Sequence, residues 1–373
     1  MQRRTALLAP LLAQLLPRGA FAAAGSEDTR QRLAMAWRAS DAAAPDTGFR
    51  VGMLDIDWAG GRVHMRAELA VPTRAHGLLP MPDGGFLAVA NRPGHWLLRC
   101  DADGALVQRL DTTTERPRRS FNGHVEASAD ARWLYTSETD ADGGDGWLSV
   151  RDARTLQRVA QFESAGIDPH QMRLAADGAL LLANGGIVRD ALGRKIESER
   201  MSPSLARIDP ASGRLLGRWT LPDRQLSIRH LAWSGGPKPL LGVALQAEYP
   251  LPEQRAQAPA LAVWDGQSLS LPSPDTSASG YAGDIAAGPG GGFVISAQKQ
   301  GRALWWHPGE PLKLSLIAQI TEPCALAPTA DGAGATISGA RGVARWHADE
   351  APRMLPWPQP LAPDNHWVQL AAA

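Results

Sequence analysis

The chain has 373 residues, of which 44% are apolar and 20% charged, with 38 glycines and 29 prolines. Lys+Arg and Asp+Glu each total 38, so no global field attracts nucleic acid or an anionic membrane, and polyanion binding is disfavoured as the main role. Ample apolar mass combined with many turn formers suits a large number of short strands.

The N-terminus reads as an export signal over residues 1–24. Arg3 and Arg4 precede an apolar stretch from Ala6 to Leu16, which Arg18 and the small run from Ala20 to Ala24 follow. The Arg3-Arg4 pair resembles a twin-arginine signal, with ordinary Sec export as the other reading. Residues 25–48 are expected to be a flexible segment, and 49–373 the folded domain. No later run reaches the roughly 18 apolar residues that span a bilayer, so a soluble periplasmic monomer is expected.

From His76 onward the chain repeats itself. His76-Gly77-Leu78-Leu79 leads to the turn Pro82-Asp83-Gly84-Gly85, the strand from Phe86 to Ala90, a polar loop, the strand Trp96-Leu97-Leu98, the turn Asp101-Ala102-Asp103-Gly104 and a strand from Ala105 to Leu110. The same order returns from His124 and from His170, and in weaker form near His230, Asp284 and Cys324. Repeats of about 40 to 60 residues, each giving four short strands, are the signature of propeller blades. Six copies are complete. A seventh blade is expected to be split, with the lone first strand Asp364 to Leu370 joining strands at Arg50 to Asp55 and Val63 to Leu69. Closure by the chain ends removes exposed sheet edges. The fold class is therefore all-β, a seven-bladed β-propeller. Insertions at Gly185 to Ser204 and Ala247 to Pro259 lie between second and third strands and fence the mouth where the first strands begin.

The export signal, the Asp-Gly turns and the histidines opening successive blades resemble the bacterial family catalogued as domain of unknown function 1513, in the quinoprotein-dehydrogenase-like (YVTN-like) propeller superfamily. That resemblance spans the mature chain. It implies a role in periplasmic iron handling, with imelysin-like iron-uptake proteins or a di-haem oxidoreductase as partners. It assigns no catalytic residue.

His76, His124, His170, His230 and His366 open five blades, and Asp284 and Cys324 open the other two. Their side chains are N, O and S ligands of transition metals, so one reading is an iron or copper site in the channel mouth, with Glu126 as a carboxylate partner. The competing reading is structural, each His hydrogen-bonding its own blade, as the pair Gly123-His124 suggests. Register is uneven: His76 and His170 stand seven residues before Asp83 and Asp177, whereas His124 stands six before Asp130. A one-residue slip reverses a side chain unless a bulge absorbs it. A second ring of Asn91, Glu138, Asn184, Gln246 and Gln298 ends the second strands and is read mainly as loop-edge polarity. The run from Arg116 to Arg119 is read as a solvated loop, and His307 and His347 as peripheral. Cys100 and Cys324 fall in distant blades, so no disulfide is expected. Signatures of hydrolases, zinc proteases, covalent haem and phosphate loops are missing. The readings left are a metal-binding propeller, a propeller enzyme acting as a metal-dependent hydrolase or oxidoreductase, and a protein-docking platform with structural histidines.

Overall fold

The computed structural model describes residues 30–40, 47–140 and 144–371, which form seven four-stranded antiparallel sheets. Their innermost strands are Ala75–Pro80, Arg119–Ala127, Pro169–Leu174, Leu226–Trp233, Ile285–Gly288, Leu326–Pro328 and Leu361–Gln369. Each touches the next around a common axis, so the molecule is a seven-bladed propeller. Blades 1 to 6 follow one another from Ala75 to Pro356, and the seventh closes the ring.

Aspartates set the turns. The carboxylates of Asp83, Asp130, Asp177 and Asp331 each accept the amide N–H two residues on, from Gly85, Arg132, Ala179 and Ala333. Such Asx turns reverse the chain without a partner from elsewhere, which is why the motif survives from blade to blade. A twisted four-stranded sheet has two apolar faces to bury, and adjacent blades bury them on each other. One close-packed cluster forms at each junction, as where Leu87 and Leu97 of blade 1 meet Phe121 and Leu134 of blade 2.

The closing blade has the order Leu361–Gln369, Arg30–Ala39, Phe49–Asp57, Arg62–Ala70. The C-terminal strand is innermost, as expected. The missing strand, however, lies inside the stretch expected to be flexible: Arg30–Ala39 pairs with both chain-terminal neighbours, Leu33 opposite Gln369 and Leu33 opposite Leu54. Leu33, Met35 and Trp37 pack with Trp357 and Trp367 in the junction with blade 6. The expected export signal, residues 1–24, lies outside the described residues. Among the described residues no helix is long and apolar enough to cross a membrane.

Candidate metal centre

Five imidazoles meet on the axis. His76, His124, His170, His230 and His366 are all buried, and apart from the pair His170 and His366 their ring centroids lie 4.4 to 5.9 Å from one another. Each rides on an innermost strand whose pairing with the second strand, or with Arg30–Ala39 in the closing blade, shifts register beside the histidine. The shifts fall between Ala75 and Leu78, Phe121 and Val125, Pro169 and Met172, Ile228 and His230, and opposite Met35 and Trp37. An extra residue re-aims a side chain that regular pleating would send into the blade. The uneven spacing of the histidines from their turns is thus absorbed locally.

Glycine allows the rings to meet. Gly123 has φ +100°, and a Cβ there would stand 2.7 Å from Cδ2 of His76. A Cβ on Gly77 would stand 2.4 Å from the Gly123 carbonyl oxygen. The pair Gly123-His124 therefore makes room for the neighbouring blade's ring, whereas the structural reading had it cap its own blade.

The hydrogen bonds leave nitrogens without partners. Asp284 Oδ1 accepts from His366 Nδ1 at 3.0 Å, and the two carboxylate oxygens of Asp284 also accept the amides of Ile285 and Leu326. With its proton on Nδ1, the His366 ring turns the lone pair of Nε2 toward His230 Nε2, 3.1 Å away. His170 Nε2 is 3.0 Å from the same His230 atom. His230 Nδ1, His124 Nε2 and both nitrogens of His76 are buried and make no hydrogen bond among the described residues. Such groups ordinarily cost free energy of about 1–3 kcal/mol each.

Protonation is a poor remedy. Burial, and after it the neighbouring ring charges and arginines, lowers His124, His170 and His230 well below 6.5. Burial likewise lowers His76 to about 3, despite Asp364 Oδ1 at 3.6 Å from its Nδ1. A cation accepts lone pairs where a proton is not tolerated. The ligand atoms of His76, His124, His170 and His230 all lie within 4.8 Å of one another, as do those of His230, Asp284 and His366. Two nitrogens 3.0 to 3.1 Å apart and each about 2.1 Å from one ion subtend roughly 90–95°, which is nearer octahedral than tetrahedral.

Six of the eight residues singled out from the sequence come together, namely the five histidines and Asp284. Two do not. Glu126 turns away and pairs with Arg173 at 3.1 Å. Cys324 accepts from Gln298 Nε2 at 3.1 Å and donates to the carbonyl of Glu322, and burial pushes its thiol up to about 12. Neither belongs to a cluster of candidate ligands among the described residues. Cys100 and Cys324 are both free and buried. In the second polar ring, Glu138 binds Thr136, Ser149 and Arg151, and Asn184 binds Ser164 and Ser204. That ring does not orient the histidines. His307 stacks on Trp305 and His347 binds Asp331, both away from the axis.

A charged shell escaped the sequence reading. Asp168, two residues before His170, is buried and bound by three guanidiniums, those of Arg92, Arg189 and Arg229. Burial alone would raise its carboxyl, but the three arginines outweigh burial and hold it below the ordinary range. Asp364, two residues before His366, is paired with Arg74 at 2.9 Å and is likewise held low against burial. The repeated Asp-x-His spacing was the available signal.

Solved structures share the architecture. The hydrazine synthase of Kuenenia stuttgartiensis matches with a TM-score of 0.56 and 14% identity, over 83% of this chain and 92% of that one. Virginiamycin B lyase from Staphylococcus aureus matches at 0.55 and 11%, over 80% and 95%. A streptogramin B lyase matches at 0.56 and 12%, over 88% and 100%. At these identities the likeness is one of fold. No curated protein matches the chain. Residues 69–370, which hold every histidine of the cage, match the family described as protein of unknown function (DUF1513), and the chain belongs to that family.

Proposed function

We propose that the protein holds one transition-metal ion, iron or copper, in the histidine cage on the propeller axis, and that it does so in the periplasm as part of iron handling. The observation that carries this reading is the convergence of four buried imidazoles, His76, His124, His170 and His230, whose ligand atoms lie within 4.8 Å of one another, with His366 Nε2 3.1 Å from His230 Nε2. Around it, further ring nitrogens are buried without a partner. A structural cluster would satisfy its nitrogens with carbonyls and hydroxyls of the blades, whereas a ligand set leaves lone pairs facing one point. Imidazole nitrogens suit iron and copper, as they do zinc and nickel, and iron is favoured here by the resemblance to a family associated with periplasmic iron. Asp284 and the two amides it accepts hold His366 in the orientation that presents Nε2. The export signal and the resemblance to a family associated with periplasmic iron support the compartment, with imelysin-like proteins or a di-haem oxidoreductase as exchange partners.

The test is a titration of chelator-treated protein with Fe(II), Cu(II) and Zn(II), followed by thermal unfolding. Binding to the folded state alone stabilises it by RT ln(1 + [L]/Kd), about 2.7 kcal/mol at a hundredfold excess over Kd. The double variant His124→Ala/His170→Ala is expected to lose that gain. If the wild type shows no metal-linked rise in melting temperature, the cluster is structural and the docking-platform reading replaces this one.

A further inference from the structure

Arg92 belongs to the loop between the second and third strands of blade 1, yet its guanidinium ends in blade 3. It donates to Asp168 and to Nδ1 of His170. A guanidinium has no acceptor, so the bonded Nδ1 carries no proton. The neutral His170 ring therefore keeps its proton on Nε2, the nitrogen that faces His230. A protonated nitrogen cannot ligate a metal. In this arrangement Arg92 locks one member of the cage in the wrong tautomer, and its positive charge touches the ring that a cation must approach.

The same arginine sits in a cluster with too few anions. Among the described residues Arg92, Arg189 and Arg229 share Asp168 as their carboxylate, which leaves two of these three positive charges uncompensated. Arg229 is 3% exposed, and its Nε has no hydrogen-bond partner. Asp168 holds a left-handed backbone with φ +57°, and a Cβ on Gly185 would strike both Arg229 Nη1 and Asp168 Oδ2, at 2.7 and 2.8 Å. The backbone is thus shaped around the charged group. A cleft opens beside it, lined by Arg92, Arg189, Ser120, Asn122 and Thr139, with Gly193 of the blade 3 insertion abutting Pro93. Asp140, Asp168 and Asp190 line it too, each already paired, with Arg119, with Arg92 and Arg189, and with Arg194, while Arg229 holds Asp168 from outside the lining.

We infer that this cleft binds a small dianion, a dicarboxylate or an inorganic oxyanion, which draws Arg92 off His170 and so frees the cage to take its metal. The inference rests on the metal reading above. A dianion matches the two unbalanced charges, and guanidinium forks bind carboxylate and oxyanion oxygens in pairs. Once Arg92 turns to the anion, the His170 proton can move to Nδ1 and Nε2 can ligate. Anion and metal then bind cooperatively, and each raises the affinity of the other by the same factor.

The experiment uses purified protein after chelation, with sodium sulfate and sodium malonate as probes, chloride at matched ionic strength as control, and Co(II), whose visible absorption reports imidazole ligation. Sulfate or malonate, but not chloride, is expected to raise the melting temperature saturably. Either one is expected to increase Co(II) affinity about tenfold or more. Whichever acts at lower concentration identifies the oxyanion or the dicarboxylate as the natural class. Arg92→Gln is expected to bind Co(II) with an affinity that no longer depends on the dianion. Arg189→Gln, on the insertion and partly exposed, is expected to weaken dianion binding about fivefold or more with Co(II) binding retained. Equal Co(II) affinity in chloride and in either dianion overturns the inference while leaving the metal reading intact, and so does unchanged dianion dependence in Arg92→Gln. Dianion stabilisation without Co(II) binding in any buffer removes the metal reading, and with it the coupling, and leaves an anion site.

Discussion

Acidification should progressively destabilise the metal-free protein, beginning just below neutrality. Burial leads the causes that lower His76 to about 3 and bring His124, His170 and His230 well below 6.5 in the folded state. In the unfolded chain each imidazole titrates near 6.5. Above that pH neither state carries the protons, and the histidines leave stability unaffected. As pH falls through 6.5 the unfolded chain takes up protons that the folded cage refuses, so stability declines and keeps declining toward the lowered folded values. Between pH 7.5 and 5.5 each ring costs about 1.4 kcal/mol, and four rings cost about 5 kcal/mol. Domains have about 5–15 kcal/mol in total, so the loss is decisive. Urea unfolding at pH 7.5, 6.5 and 5.5 with a chelator present measures it, and the midpoint should drop steeply between the last two. A midpoint unchanged from pH 7.5 to 5.5, or folded-state imidazole resonances that titrate near 6.5, would refute the argument.

Other expectations follow from single contacts. Gly123→Ala places a Cβ 2.7 Å from the His76 ring at a backbone φ of +100°; a loss of about 2–4 kcal/mol in urea unfolding is expected, with weakened metal-linked stabilisation. Glu138→Ala leaves Arg151 buried beside Glu115 alone and should cost about 3–5 kcal/mol, read as a lower unfolding midpoint. Cys324→Ser should leave the metal-linked rise in melting temperature unchanged, because the thiol lies outside the candidate ligand groups; a lost rise would return the cysteine to the site. Deleting residues 361–373 removes the innermost strand of the closing blade, and the truncated protein should aggregate or unfold on purification, as size-exclusion chromatography would show.

The repeat made the blades and the histidine slot readable, since turn aspartates recur in four blades and histidines open five of the seven, at nearly the same place in each unit. The strand Arg30–Ala39 was hidden for a physical reason. Its run Leu33-Ala34-Met35-Ala36-Trp37 is buried on both faces and so lacks the alternation that marks a half-buried strand, and its alanines carry little β-propensity. Cys324 was placed by analogy of slot, and Glu126 because it stands two residues beyond His124 on the same strand face. Cys324 stands before Leu326–Pro328, in a blade with no register shift beside its inner strand to turn it inward, and Glu126 follows the bulge that aims His124 at the axis. Arg92 and Arg189 could not be found from periodicity, because they reach the cage from loops of different blades, and loops carry no repeat.

His366 lies on the strand Leu361–Gln369, 290 residues after His76, and that strand is also the one that completes the ring. A nascent or truncated chain can therefore assemble at most four of the five rings, and without Asp284's histidine partner. Under the proposed function, the five-ring cage is complete only once Leu361–Gln369 has paired with Arg30–Ala39. An ion that bridged His366 to the rings of blades 1 to 4 would then fasten that strand from the inside, and the bound ion would act as a latch on a circle that strand pairing alone otherwise closes at that blade.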